Sequence, residues 1–161
     1  PDGCNIAIIE NPLADSVVQR VAGLEAAIEG TNCKIVDRKS IATLDEVLPD
    51  AEDILTANDD LQVFWGLNDD VSMTILGTVE SRGRQDEIKV MSVDGSPSGK
   101  TSVQEGGLYC TAAQSPVSIA DKAYECATKI MNGESVDATY SLDTVLITPD
   151  NVADNDPANW G

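Results

Sequence analysis

The sequence predicts an α/β fold, a doubly wound and mostly parallel sheet with helices on both faces. Short apolar segments alternate along the chain with stretches whose apolar residues recur at helical spacing. The short segments are almost continuously apolar, which is typical of parallel strands covered on both faces. With 161 residues, of which 42% are hydrophobic, the chain is long enough to bury one good core.

Three strands and three helices are predicted before residue 84. We expect strands at 5–9, 34–36 and 61–65, and helices at 17–28, 44–57 and 71–80. Gly30 and Gly83 stand just beyond two of these helices, where a glycine commonly ends a helix. This part therefore alternates strand and helix three times.

The rest of the chain continues the alternation. A strand is expected at 88–93, followed by a Gly-Ser-Pro turn that opens the next helix. A strand at 108–113, a helix at 117–131 and a last strand at 144–147 follow. Residues 149–161 are polar and without periodicity, so we expect a loosely held end.

Composition excludes several classes of function. A balance of 10 basic against 28 acidic residues gives a net charge of -18, which repels nucleic acid and anionic membranes. The absence of histidine excludes Ser-His-Asp and Cys-His catalysis and histidine zinc sites. Cys4, Cys33, Cys110 and Cys126 have no Cys-x-x-Cys spacing and are expected to be buried free thiols. We therefore predict a protein that is not an enzyme and has no cofactor and no metal site.

Two motifs suggest chemistry that the residues do not support. Residues 94–101 are similar to a phosphate-binding loop, but Asp94 stands where the first glycine is needed and would face the phosphates. The paired acids Asp69 and Asp70, or Glu134 and Asp137, are of the type that serves as the two catalytic carboxylates of glycoside hydrolases. In so acidic a chain such pairs arise by chance.

Polar residues follow the predicted strands, where ligands bind in open parallel sheets. The main candidates for binding a solute are carboxylates, amides and one guanidinium on the helix after the first strand: Arg20, Asn68, Asp94 and Gln114. Asn11 and Asp69 are secondary candidates. The alternative for Asn and Asp after a strand is a turn or a helix cap.

Three motifs in register carry a family resemblance. Residues 64–70, 90–97 and 106–116 resemble the carboxy-terminal lobe of type I periplasmic binding proteins of the ribose-binding kind, and the resemblance covers about residues 3–151. In such relatives four side chains contact the sugar, and they match Arg20, Asn68, Asp94 and Gln114. Many relatives also stack an aromatic on the sugar from a loop that aligns near residues 41–43, where this chain has Ile-Ala-Thr.

The resemblance implies an extracytoplasmic solute-binding component of an ABC transporter, periplasmic or a cell-surface lipoprotein, with the transporter permease as partner. It implies a small polar ligand, a monosaccharide, in a cleft of which this chain forms one wall. Residues 1–107 would be the carboxy-terminal lobe, 108–131 a strand and helix of the absent first lobe, 132–150 the return and last strand, and 151–161 a polar tail. The strand and helix of 108–131 would have no native sheet to join, and three outcomes are open to them: folding onto the edge of this sheet, docking on a neighbouring molecule, or irregular packing. Since the helix has an apolar face to bury, we favour self-association through this segment.

Two other functions share this fold. One is the effector-binding core of a lac-repressor-type transcription regulator, and the other is an extracellular sensor domain. The turn at 94–97 and the segment 106–114 look more like transporter proteins, and a net charge of -18 suits a DNA-tethered domain poorly.

Overall fold

A six-stranded sheet organises residues 3–160, the part of the chain that the computed structural model describes. The strands are β1 (Asn5–Glu10), β2 (Lys34–Ser40), β3 (Val63–Gly66), β4 (Lys89–Asp94), β5 (Cys110–Ala113) and β6 (Val145–Ile147). The helices are α1 (Asp15–Ile28), α2 (Val47–Ala57), α3 (Asp69–Ser81), α4 (Pro97–Gln104) and α5 (Pro116–Met131). Short 3-10 turns lie at Leu44–Glu46 and Val152–Asp154. Each predicted strand and helix is present, with bounds that differ by a few residues.

The strand order is β2-β1-β3-β4-β5-β6. The first five strands are parallel, and β6 pairs antiparallel with β5. The chain runs outward from β1 to β2 and then returns to β3 on the other side of β1. This reversal is the point at which ligands bind in open α/β sheets, at the carboxyl ends of the strands.

Both faces of the sheet are covered, which confirms the predicted doubly wound α/β class. Successive side chains of β1 alternate between two clusters, because side chains along a strand point to opposite faces. Ala7 and Ile9 belong to a large cluster with residues of α2, α3 and α4. Ile6 and Ile8 belong to a smaller cluster that α1 covers with Val17 and Val21. Ile8 and Ile9 are fully buried.

Helices α4 and α5 each start at a serine followed by proline. At α4 the Ser96 side chain accepts a hydrogen bond from the backbone of Gly99, and Pro97 occupies the first turn. At α5 the Ser115 side chain accepts a hydrogen bond from the backbone of Ser118, and proline again follows the serine. Proline is tolerated there because the first N–H groups of a helix have no partner in the helix. The predicted Gly-Ser-Pro turn into a helix is therefore confirmed.

Strand β5 continues the parallel sheet beyond β4. Of the outcomes open to residues 108–131, the strand adopts folding onto this sheet: β5 pairs with β4 through Met91 and Cys110 and continues the parallel order. Leu108 and Thr111 are buried. The strand within residues 108–113 is therefore paired with this sheet in the described chain. The physical reason is that β4 without β5 would leave an unpaired edge.

Helix α5 packs on neither face of the sheet. None of its residues is buried, and Val117, Tyr124 and Met131 are 64%, 76% and 87% exposed. The lysine Nζ of Lys122 lies 5.2 Å from the ring centre of Tyr140, in the segment that returns to β6. Folding of this helix onto its own sheet, one of the outcomes open to it, is not what the structure shows.

The carboxy-terminal segment is anchored, in contrast to the expected loose end. Val152 is buried in the second 3-10 turn. Lys100, on α4, is 2% exposed, and its Nζ donates a hydrogen bond to the carbonyl oxygen of Asp156 at 2.9 Å. A buried ammonium needs an acceptor, so this lysine holds the tail against α4.

Within residues 3–160, no helix is both long and apolar enough to cross a membrane.

Candidate functional site

The polar residues predicted to form a site lie along the carboxyl edge of the parallel strands. Asn11 follows β1, Asn68 follows β3, Asp94 ends β4 and Gln114 follows β5. Parallel pairing of β1, β3, β4 and β5 places these strand ends on one edge. Arg20 reaches this edge from α1 through its hydrogen bond to the carbonyl oxygen of Leu67 at 2.7 Å.

Three of the four main candidates form one cluster, in which Arg20 and Gln114 both bond to Asp94. One guanidinium nitrogen of Arg20 lies 3.2 Å from Oδ1 of Asp94, and the Gln114 amide donates to the same oxygen at 2.6 Å. The side chains of Arg20 and Asp94 are 21% and 19% exposed. This Arg20–Asp94–Gln114 cluster is therefore rigidly bonded and still reachable from solvent.

The backbone at Asp94 is held in an unusual conformation. Its φ is 126°, which makes it the one non-glycine residue of the described chain with a positive φ. The next residue, Gly95, has a φ of 66°, and a Cβ built there would lie 2.2 Å from the Cβ of Ala113. The Gly95 amide donates to the Thr111 hydroxyl at 3.0 Å. Strained residues of this kind concentrate at functional sites, where the surrounding structure holds them in place.

The Asp94 carboxylate is only partly satisfied by protein. Both donors reach Oδ1, and among residues 3–160 no hydrogen bond reaches Oδ2. Burial raises the pKa of Asp94 above its ordinary value of 3.8, and this effect exceeds the opposing charge of Arg20 and the hydrogen bond from Gln114. The second oxygen is left as an acceptor for a ligand hydroxyl.

Asn68 acts as the cap of α3. Its Oδ1 accepts a hydrogen bond from the Val71 amide at 3.0 Å, so the helix-cap alternative is correct for this atom. Within the described chain no acceptor pairs with its Nδ2, which remains a donor. Leu67, the preceding residue, is bonded to Arg20 and links Asn68 to the cluster through the backbone.

Asp69 has a structural role, which corrects its place among the secondary candidates. The residue is 2% exposed. Its Oδ1 accepts from the hydroxyls of Ser92 and Thr111 at 2.6 and 2.7 Å, and its Oδ2 accepts from the amide and hydroxyl of Ser96 at 2.7 and 2.6 Å. A carboxylate with four protein donors has no free position for a ligand. It ties the start of α3 to β4, β5 and the turn before α4.

A hollow of about 200 Å³ lies where the strand order reverses. Asn11 lines it, with its Oδ1 engaged by the Leu13 amide at 3.0 Å. Ile41, Ala42 and Thr43, which stand where many relatives of the ribose-binding kind carry an aromatic, line the opposite side. None of the three is aromatic, and they line the same hollow as Asn68.

A second cavity of about 330 Å³ adjoins the cluster. Arg20 and Gln114 line it together with apolar side chains that include Trp65, Met91 and Leu146. Sequence reasoning missed this apolar surface. Period-two alternation along β3 and β4 was the available signal, because Trp65 and Met91 face the side opposite Phe64 and Val90.

Comparison with known proteins gives a consistent result. A family model described as "Periplasmic binding protein domain" matches residues 1–135. The chain is 35% identical over 96 residues to the ribose import binding protein of Escherichia coli, and this match covers 60% of the chain and 32% of the relative. It is 29% identical over 149 residues to the ribose import binding protein of Bacillus subtilis, which covers 91% of the chain and 48% of the relative.

Solved structures agree with these relatives. An ABC transporter periplasmic solute-binding protein of Actinobacillus succinogenes, solved with D-allose, superposes with a TM-score of 0.87 at 28% identity. The superposition covers 95% of this chain and 56% of that protein. The chain thus spans between about a third and a half of the curated relatives. These relatives are solute-binding proteins and not enzymes, as predicted.

Proposed function

This chain belongs to the periplasmic binding protein domain family, and we propose that it is the carboxy-terminal lobe of a protein that delivers a monosaccharide to an ABC transporter. The ribose-binding relatives and the D-allose complex support a sugar as the class of ligand. Proteins of this family are extracytoplasmic. The full protein would be periplasmic or held at the cell surface by a lipid, with the transporter permease as its partner.

The Arg20–Asp94–Gln114 cluster is the observation that carries this proposal. It combines a five-donor guanidinium, a carboxylate with one unbonded oxygen, and an amide. Neighbouring hydroxyls of a sugar are both donors and acceptors, so they match this mixture of groups. The positive charge of Arg20 balances the negative charge of Asp94, which favours a neutral polyol over a charged ligand.

Asn68 and Asn11 would extend the site along the same edge. The Nδ2 group of Asn68 supplies a further donor beside the hollow at the end of β3. Asn11 contributes its Nδ2 group, because its Oδ1 is held by the turn. Hydroxyls on the far side of the sugar ring would bind here, in the hollow lined by Ile41, Ala42 and Thr43.

The proposed cleft is shared with a first lobe to which this chain contributes one segment. Residues beyond Gln114 leave the sheet as α5, whose residues are all unburied, and return at β6. We assign residues 115–144 to the first lobe, so that Gln114 lies at the crossing between the lobes. The exposed apolar side chains of α5 would then be covered by that lobe.

Calorimetry on the full-length protein tests the proposal. Titration with D-ribose, D-allose, D-galactose and D-xylose should reveal at least one sugar that binds with a Kd in the micromolar range or below. Nucleotides, titrated at the same concentrations as the sugars, serve as negative controls. A correctly folded protein that binds none of the four sugars would contradict the proposed ligand class.

A further inference from the structure

Cys4 and Cys33 lie side by side at the amino ends of β1 and β2. The two sulfurs are 2.7 Å apart, with the Cys4 thiol donating to Cys33. Both residues are half-buried and pack against the cluster that α1 covers. Among residues 3–160 this is the one hydrogen bond between two thiols.

The backbone around the two cysteines has the geometry of a bridged pair. The Lys34 amide donates to the Cys4 carbonyl at 2.8 Å, directly before the first strand pair, Asn5 with Lys34. Neighbouring strands are about 4.8 Å apart, within the range of about 4.4 to 6.8 Å that separates the Cα atoms of a disulfide. Gly3 permits the close approach, because a Cβ there would lie 2.5 Å from the Asn32 carbonyl oxygen.

From this geometry we propose that Cys4 and Cys33 form a disulfide when the protein is in an oxidising compartment. The sulfurs need to approach by less than about 1 Å to reach the bond length of about 2.05 Å. Disulfides persist outside the cytoplasm, which is where proteins of this family act. The bridge would join the edge strand β2 to β1 at the end of the sheet opposite to the Arg20–Asp94–Gln114 cluster.

The oxidant is a disulfide, of a small molecule or of an oxidising protein. The Cys33 thiolate attacks one sulfur of the oxidant, forms a mixed disulfide and releases the first thiolate. Cys4 then loses its proton to water, attacks the Cys33 sulfur and releases the second thiolate. Two cysteine thiols are oxidised to one disulfide, and the oxidant is reduced to two thiols.

The pKa values of the two thiols differ in the direction that makes Cys33 the first nucleophile and Cys4 the second. The hydrogen bond from Cys4 lowers the pKa of Cys33, which favours its thiolate as the first nucleophile. Burial raises the pKa of Cys4 to about 11, so it keeps its proton until the mixed disulfide has formed. The remaining cysteines differ from this pair: burial raises the pKa of Cys110 in β5, and Cys126 lies on α5.

Alkylation and mass spectrometry of the chain test the proposal. After incubation with oxidised glutathione and unfolding in urea, iodoacetamide should modify two of the four cysteines, and peptide mapping should recover Cys4 linked to Cys33. Thermal unfolding should shift upward by about 5 to 10 °C relative to the reduced chain, because the bridge closes the segment 4–33. The double variant Cys110→Ser, Cys126→Ser should keep the Cys4–Cys33 link and the shift in Tm, with no cysteine left for iodoacetamide to modify.

Single variants distinguish the bridge from adventitious oxidation. Cys33→Ser should abolish the bridge and the shift in Tm, whereas Cys4→Ser should accumulate glutathione on Cys33. Circular dichroism establishes that each variant is folded. Four alkylated cysteines after oxidation, a stable glutathione adduct on the unmutated chain, or a bridge that involves Cys110 or Cys126 would each overturn the proposal. None of these results depends on sugar binding.

Discussion

The Arg20 guanidinium donates to the Asp94 carboxylate at 3.2 Å and so connects α1 to the carboxyl end of β4. The pair is accessible to solvent, Asp94 has a φ of 126°, and one of its carboxylate oxygens receives no hydrogen bond from the described chain. Each of these features works against stability. Their combination at one edge of the sheet is typical of a site selected for binding.

Asp94→Asn should leave the stability of the chain at pH 7 unchanged or raise it. The folded-state pKa of Asp94 is raised, so its contribution to stability is present below the unfolded value of 3.8 and is lost as pH rises through the folded pKa. An amide removes this cost and still accepts from Arg20 and Gln114. Thermal unfolding at several pH values measures the effect, and the difference in Tm between variant and parent should shrink below pH 3.8. A large loss of Tm at pH 7 would contradict this account.

Gly99→Ala should destabilise the chain by about 1 to 3 kcal/mol. A Cβ at Gly99 would lie 2.2 Å from Oδ2 of Asp69, the carboxylate that ties α3 to β4, β5 and the turn before α4. The matched control is Gly77→Ala within α3, where a Cβ meets nothing within 4 Å. That variant should gain about 0.5 to 1 kcal/mol, since alanine favours helix over glycine. Urea denaturation gives the free energy of unfolding of each variant. Equal values for the two would refute the role of Asp69 in tying α3 to the sheet.

The isolated chain should self-associate through the apolar face of α5. Val117 and Tyr124 are 64% and 76% exposed, and burying apolar area contributes about 25 cal/mol per Å². Light scattering at increasing concentration should show a rising mass. The double variant Val117→Lys, Tyr124→Lys should remain monomeric. The control variant Asp121→Lys, on the same helix, should associate as the unmutated chain does. A monodisperse monomer of the unmutated chain at high concentration would exclude the association.

The isolated chain should bind sugars weakly or not at all. The candidate site is an open edge, and a polar ligand gains its affinity from groups that enclose it. Calorimetry with ribose, galactose, glucose and xylose should show no tight binding. A micromolar Kd would mean that the site is complete without a first lobe.

Much of the fold was predictable because local signals agreed with the tertiary structure. Apolar runs identified the strands, and helical spacing identified α1, α2 and α3. The parallel order then followed from the alternation of strand and helix, and it placed Asp94 and Gln114 at one edge. Arg20 was predicted to lie on the same edge from its place in the helix after the first strand and from the family resemblance. Its direct hydrogen bond to Asp94 is not encoded in the spacing, because the two residues are far apart in sequence.

Other features depend on packing that spacing does not encode. Asp69 and Asp70 are adjacent acids, yet the helix turns Asp69 inward to four donors and leaves Asp70 exposed. Lys100 is buried against a backbone carbonyl of a tail without periodicity. The pairing of β5 with β4 could not be chosen from spacing alone, because the strand has the same local pattern whichever sheet it joins.

The affinity of the full-length protein for its sugar after Arg20→Ala tests the central claim most directly. Arg20 would lose its contacts to Asp94 and to the ligand, so calorimetry should show Kd raised about 100-fold or more. Arg82→Ala is the matched control, because Arg82 pairs with Glu52 on α2 and lies at the end of α3, away from the carboxyl edge. The Kd of the Arg82→Ala variant for the sugar should equal that of the unmutated protein. Unchanged affinity in a folded Arg20→Ala variant would contradict the assignment of the sugar site to this edge.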